Sequence, residues 1–181
     1  MTRDEAMKLV KANVKNKNLI KHMIATEACM RELAKHFGED EELWALTGLI
    51  HDVDYDKTSD DFSKHGVMGA EILEELGADD RIIYAVKSHT GSVETKSLMD
   101  KALFAVDPLT GLIVAAALMH PTKKLENVDT PFVMNRFKEK RFAAGANRDN
   151  IKTCENIGLS LEEFITISLK AMTSVADDLG L

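Results

Sequence analysis

The sequence predicts an all-α fold, a single-domain helical bundle, on three observations. Apolar residues recur three and four positions apart in nearly every segment, the spacing that builds one face of a helix. Sustained alternation, the mark of a half-buried strand, is scarce, and aromatic residues make up only 6% of the chain. Glycines stand where several periodic runs stop, at Gly38, Gly77 and Gly91, and a glycine just past a helix is its usual cap.

Taken in order, a first helix is expected over Asp4–Val14 and a second over Asn18–Phe37, stopped by Gly38. A third covers Glu41–His51, and Asp54–Asp61 reads as a polar, turn-like loop. Ser63 can cap a fourth helix that ends before Gly77. A fifth begins at Asp79 or Asp80, reaches His89 and breaks at Gly91. Ser97–Met119 is a long apolar sixth helix closed by Pro121. Within it Pro108 removes a backbone donor and clashes with the preceding turn, so a kink or break is expected there.

Beyond Pro121 the segments are shorter. Thr130-Pro131 reads as a cap followed by proline at the first helical position, opening a helix over Pro131–Lys140. Another covers Asp149–Asn156. Ser160 with Glu163 forms a capping-box pattern for a last helix to Asp178. On this reading residues 1–181 are one domain, with a core over 18–120. Residues 121–181 are a helical annex that covers the core or completes a substrate pocket.

A chain of 181 residues that is 45% hydrophobic and 29% charged can bury a substantial core. No uninterrupted apolar stretch reaches spanning length, and Met1-Thr2-Arg3-Asp4-Glu5 is charged rather than apolar. The expectation is a cytoplasmic protein with no membrane partner. The net charge of -7 and the lack of a basic stripe argue against a nucleic-acid partner. A phosphate site in such a chain must draw its positive charge locally, most economically from metal ions. Cys29 and Cys154 lie far apart without metal-type spacing, and read as reduced, packed cysteines.

The pair His51-Asp52 is the most informative motif. It closes the apolar run Leu43–Ile50 and places a carboxylate beside a buried stretch, where it needs a partner. Helical spacing supplies company. His22 shares a face with Leu19, Thr26 and Leu33, and His65 with Gly69, Ile72, Leu73 and Leu76. Ile82, Val86 and His89 form one stripe, as do Leu103, Asp107, Thr110 and Val114 if their helix continues through the proline. One histidine on an apolar face is more often a hydrogen-bonded core residue than a ligand. Four inward histidines and two inward carboxylates on successive helices point to a metal centre. His36 and His120, at helix ends, serve as surface or capping residues.

The order His22…His51-Asp52…His65…His89…Asp107 resembles the HD-domain superfamily of metal-dependent phosphohydrolases, in the variant with two additional histidines. That resemblance implies His22, His51, Asp52 and Asp107 as ligands of a first metal. It implies His65 and His89 as ligands of a second, with Asp52 bridging. One or two divalent transition-metal ions (Fe, Mn, Zn, Ni or Co) suit such imidazole and carboxylate donors. The implied activity is hydrolysis of a small phosphate ester, a nucleotide or related metabolite, by a metal-activated water. Asp52, His65 and His89 are the expected catalytic residues; with one metal alone, His65 and His89 would orient phosphate or exchange protons.

The chain departs from better-defined branches of the superfamily. Asp54 and Tyr55 stand where a glycine and a lysine follow the dyad in many members, and Lys57 and Lys64 read as solvated loop residues. Ser88-His89-Thr90 replaces the paired histidines of cyclic-dinucleotide phosphodiesterases, which disfavours that reaction. Asp54 and Asp56 read first as turn residues and second as acceptors for ligand histidines. Thr110 can bond Asp107 or a phosphate. Lys140, Arg141 and Arg148 read as surface residues rather than a substrate clamp. The same donor set also resembles that of di-iron oxygenases of the superfamily, and a non-catalytic ligand-binding module is the third possibility.

Overall fold

The structure, a computed structural model, describes residues 1–181. It is all-α, with eleven α-helices, three short 3₁₀ turns and no strand. In chain order the helices are α1 (Arg3–Asn13), α2 (Lys17–Phe37), α3 (Glu41–Ile50), α4 (Tyr55–Thr58), α5 (Val67–Glu75) and α6 (Asp80–Ser88). They continue with α7 (Leu98–Met119), α8 (Thr130–Lys138), α9 (Arg148–Lys152), α10 (Leu161–Ser174) and α11 (Ala176–Leu179).

Local chemistry sets most of these boundaries. Thr2 with Glu5, Ser97 with Asp100 and Ser160 with Glu163 form capping boxes that satisfy orphan amides at the starts of α1, α7 and α10. Gly38 ends α2 in the left-handed region, φ 71°. Arg3 grips Glu27 through two hydrogen bonds, of 2.6 and 2.9 Å, and so ties α1 to α2.

Six expectations need correction. The loop Asp54–Asp61 contains the one-turn helix α4, and Phe62–Lys64 forms a 3₁₀ turn. His65 therefore precedes α5 on an extended residue (φ -61°, ψ 136°) instead of lying on its face, and Leu76 is exposed. Of the kink or break expected at Pro108 the break is absent: α7 runs on through the proline, because buried Leu103, Val106, Leu109 and Leu112 fix both of its halves in the core. Asp129, not Thr130, caps α8; its carboxylate accepts the Phe132 amide at 2.8 Å and moves Pro131 to the second helical position. The last helix ends at Ser174, where Val175 leaves helical geometry, and α11 turns Leu179 and Leu181 back into the interior. The helix expected over Asp149–Asn156 is α9 followed by a 3₁₀ turn, Thr153–Ile157.

The interior has two apolar clusters. The larger, of 32 buried residues, is built on α7 and α2 and extends through α8, α9 and α10. The smaller, of nine, joins α1, α2, α3, α5 and α6. By length and composition α7 could cross a bilayer, and twelve of its residues are buried here. Cys29 and Cys154 are free and buried among these side chains, and burial pushes the Cys29 thiol up to about 12. Helices α2, α3 and α6 contribute to both clusters, and the polar side chains of interest emerge from these helices, from α7 and from the α3–α5 connection.

Candidate metal centre

The crossing of α2 and α3 fixes the first half of the site. Gly48 permits it: a Cβ there would lie 2.7 Å from the Thr26 carbonyl oxygen. One turn later His51 ends α3 with its ring against α2, its Nε2 3.2 Å from Nε2 of His22. Asp107 comes from α7, its Oδ1 3.0 Å from His22 Nε2 and 3.7 Å from His51 Nε2.

Asp52 spans the two halves. Its Oδ2 faces His51 at 3.4 Å and His22 at 3.6 Å. Its Oδ1 faces His65 at 3.2 Å and His89 at 3.3 Å, and the two rings approach each other at Nε2–Nε2 3.3 Å. His51 also lies within 4.8 Å of His89 through its ring nitrogen, so it borders both groups. All six residues singled out from the sequence thus meet in one place. His36 is exposed and His120 binds Thr122, both far from this chemistry by role.

The other face of each ring decides its tautomer. Gly48 O accepts from His51 Nδ1 at 2.8 Å, and Val86 O from His89 Nδ1 at 2.6 Å. Thr110 gives its hydroxyl proton to the Asp107 carbonyl, so its oxygen accepts Nδ1–H of His22 at 2.9 Å. Asp54 Oδ1 accepts Nδ1–H of His65, also at 2.9 Å. With Nδ1 protonated in all four, each neutral ring turns an Nε2 lone pair inward. Lone pairs facing each other at 3.2–3.3 Å, beside two carboxylates, repel unless positive charge lies among them. The donor set therefore fits a divalent transition-metal ion.

The electrostatics agree. Burial opposes charge on His51, but Asp52 and Asp107 outweigh it and raise its pKa well above the ordinary histidine value. Burial likewise opposes charge on His65, which Asp52 and Asp54 raise to about 9. Despite burial, His51 and the neighbouring rings hold Asp52 well below the carboxylate range, and His22 with His51 does the same for Asp107. The cluster holds its carboxylates ionised and attracts cations.

Asp54 corrects the turn reading. It is fully buried and accepts His65 Nδ1–H together with the Gly66 and Gly69 amides, both at 2.8 Å, so it anchors the ring and the start of α5 at once. The Asp56 carboxylate instead reaches the α1–α2 connection and accepts the Lys15 amide at 2.6 Å. Arg148 is spent on backbone carbonyls, those of Ala143 and Ala146 at 2.7 and 2.6 Å, and of Phe142, and holds the loop before α9.

A cleft of about 630 Å³ opens onto the cluster. Beyond His22, Asp52, His65, His89 and Asp107, it is lined by Leu19, Tyr55, Phe62, Ser63, Thr90, Gly91, Ser92 and Asn150. No lysine or arginine lines it; Lys57 and Lys64 point to solvent, Lys64 pairing with Asp61 at 3.1 Å. Asn150 belongs to α9, so this short helix forms part of the wall. The place of these lining residues in one cleft was not read from the sequence, where Leu19, Ser63 and Gly91 read only as helix-face, capping and helix-ending residues and Phe62 was not singled out.

The HD domain family model matches residues 19–117. The chain is 35% identical over 161 residues to an uncharacterized protein of Methanocaldococcus jannaschii, covering 82% of this chain and 90% of that one. It is 27% identical over 168 residues to Ribonuclease Y of Desulfotalea psychrophila, covering 82% of this chain and 32% of that enzyme. It is 30% identical over 135 residues to Ribonuclease Y of Staphylococcus epidermidis, covering 73% of this chain and 26% of that enzyme. The chain thus spans a third or less of the Ribonuclease Y sequences. No solved structure matches it.

Proposed function

The chain belongs to the HD-domain family, and from that premise we propose that it hydrolyses a phosphate ester, a nucleotide or related metabolite, with divalent metal. The observation that carries this reading is the convergence of four inward Nε2 atoms on the two oxygens of Asp52. His22, His51, Asp107 and Oδ2 of Asp52 would hold one cation. His65, His89 and Oδ1 of Asp52 would hold a second. A divalent cation held there supplies Lewis acidity, making a nearby water more acidic and offsetting charge on phosphoryl oxygens.

The protein's own groups do the rest. Asp52 holds two pairs of imidazoles at a fixed separation. Asp54 keeps His65 oriented with Nε2 toward the cleft, and Thr110 does so for His22. Ser63, Thr90, Ser92 and Asn150 give the wall neutral hydrogen-bonding groups for an ester. The Ribonuclease Y relatives, nucleases by name, support a phosphoester substrate.

The test pairs elemental analysis of protein purified without added metal with a panel of phosphomonoesters and diesters after metal loading. The expected result is one or two bound divalent ions, hydrolysis of at least one ester, and a loss of at least about 100-fold in Asp52→Asn. Metal-loaded protein that hydrolyses none of the panel overturns the proposal. The six-donor set also suits two irons, and two iron atoms per chain with oxygen uptake on an organic substrate would replace hydrolysis with the oxygenase reading.

A further inference from the structure

The net charge of -7 hides a strong local asymmetry. Residues 136–152 carry six basic and two acidic side chains, a local charge of +4. Arg136 pairs with Glu139 at 2.8 Å and Arg148 is spent on backbone carbonyls, so both are already engaged. Lys138, Lys140 and Lys152 are exposed, make no ion pair, and line a second hollow of about 850 Å³. These three like charges outnumber the one carboxylate that lines the same hollow, Asp149, and favour an anion between them.

This basic hollow and the cleft share a wall. Helix α9 presents Asn150 to the cleft, while Asn147, Arg148, Asp149 and Lys152 of the same segment line the hollow. The two are therefore separated by about one helix diameter, roughly 10–12 Å. The cleft itself offers no cationic side chain but does offer an aromatic face. Phe62 is 56% exposed, the one aromatic among the large exposed apolar side chains, and it lines the cleft. Edge contact with Tyr55 at 5.5 Å between centroids and a tilted contact with His65 at 4.8 Å steady its ring.

From these features we infer that the protein binds a single-stranded oligonucleotide, with an unpaired base on Phe62 and downstream phosphates on Lys138, Lys140 and Lys152. A stacking platform beside a basic track is the combination that holds single strands with little sequence preference. The inference rests on the proposed hydrolytic reading only for the scissile phosphate, which would sit at the His–Asp cluster. It reverses the expectation, drawn from whole-chain charge, of no nucleic-acid partner. The division of labour is physical: the buried site needs no side-chain cation, and the annex supplies charge where solvent keeps it cheap to maintain.

The experiment is fluorescence anisotropy with labelled single-stranded RNA and DNA octamers, and a duplex of the same sequence, on the full chain with EDTA at low salt. Single strands of either sugar should bind more tightly than the duplex, whose bases cannot stack on Phe62. Lys138→Glu/Lys140→Glu/Lys152→Glu should weaken binding at least about tenfold and reduce the log–log salt slope by about 2. Phe62→Ala should weaken single-strand binding about tenfold and leave that slope unchanged. Lys8→Glu/Lys11→Glu, on the exposed side of α1, changes net charge elsewhere and should leave binding as it is.

No single-strand binding, equal binding of duplex, or an equal loss in the α1 variant each overturns the inference. Because EDTA is present, binding is read independently of catalysis. A chain that binds octamers through these residues yet hydrolyses no ester when metal-loaded sinks the hydrolytic reading alone. A chain that hydrolyses small esters but ignores octamers sinks this one alone.

Discussion

His22 and Asp107 project from α2 and α7, the two longest helices, whereas His65 stands on an extended residue between a 3₁₀ turn and α5. The first pair owes its position to helices packed over their whole length, with Thr110 as a single hydroxyl partner. The second half has no such frame at His65, and a buried carboxylate replaces it: Asp54 ties the ring to two amides of the following helix. Where a helix fixes a side chain, a weak partner is enough. Where a turn carries it, a charged buried group has to do the holding.

That contrast can be broken most severely at Asp54. Asp54→Ala leaves His65 Nδ1–H and the Gly66 and Gly69 amides buried without an acceptor, and should cost about 3–5 kcal/mol in urea unfolding. Asp54→Asn keeps an acceptor for the glycine amides but turns an amide donor or a weaker acceptor toward His65. Metal affinity and activity should fall about 10–100-fold with a much smaller stability loss. Equal stability in Asp54→Ala and wild type would show that the turn needs no anchor.

On the helical side the sensitive point is backbone, not a partner. Gly48→Ala forces a Cβ to 2.7 Å from Thr26 O, so α3 must move off α2 and carry His51 away from His22. The expected cost is about 1–3 kcal/mol, read as a lowered melting temperature, with weaker binding of the first metal. An unchanged melting temperature would mean that the crossing is looser than the geometry requires. Thr110→Val removes the His22 partner and should be milder. About 1 kcal/mol and less than tenfold in metal affinity are expected, because α2 still positions the ring and its side chain is 22% exposed to water.

The smallest effect concerns pH. Burial opposes ionisation of Asp54, yet His65 and the Gly69 and Gly66 amides hold its carboxyl below the ordinary value of 3.8. A group whose folded value is depressed contributes its stability above the unfolded value and loses it as pH falls through the folded one. The gap in unfolding free energy between wild type and Asp54→Asn should hold from neutral pH down to about 4 and narrow below it. A gap that widens in acid would contradict the role given to Asp54.

Much of this was legible in residues alone. The ligand-type side chains on or at the ends of α2, α3, α6 and α7 followed from helical periodicity, and the Ser160–Glu163 capping box marked the start of α10. His65 was found for the wrong local reason: a stripe on a helix face was inferred, but an extended residue turns the ring inward. The single helix over Ser97–Met119 was read correctly, but a break at Pro108 stayed open because the intrinsic cost of a proline says nothing of the packing that overcomes it.

By itself, then, the sequence determined the helical class, the main helix ends and six candidate ligands that the fold brings together, because periodicity, caps and residue type are properties of neighbours along the chain. The tertiary structure decided how Asp52 divides its oxygens between two pairs of rings, which atom orients each ring, and that α9 stands between a cleft without lysine or arginine and a basic hollow. Those facts depend on distances between segments far apart in sequence, which burial and close packing set, and which no local pattern records.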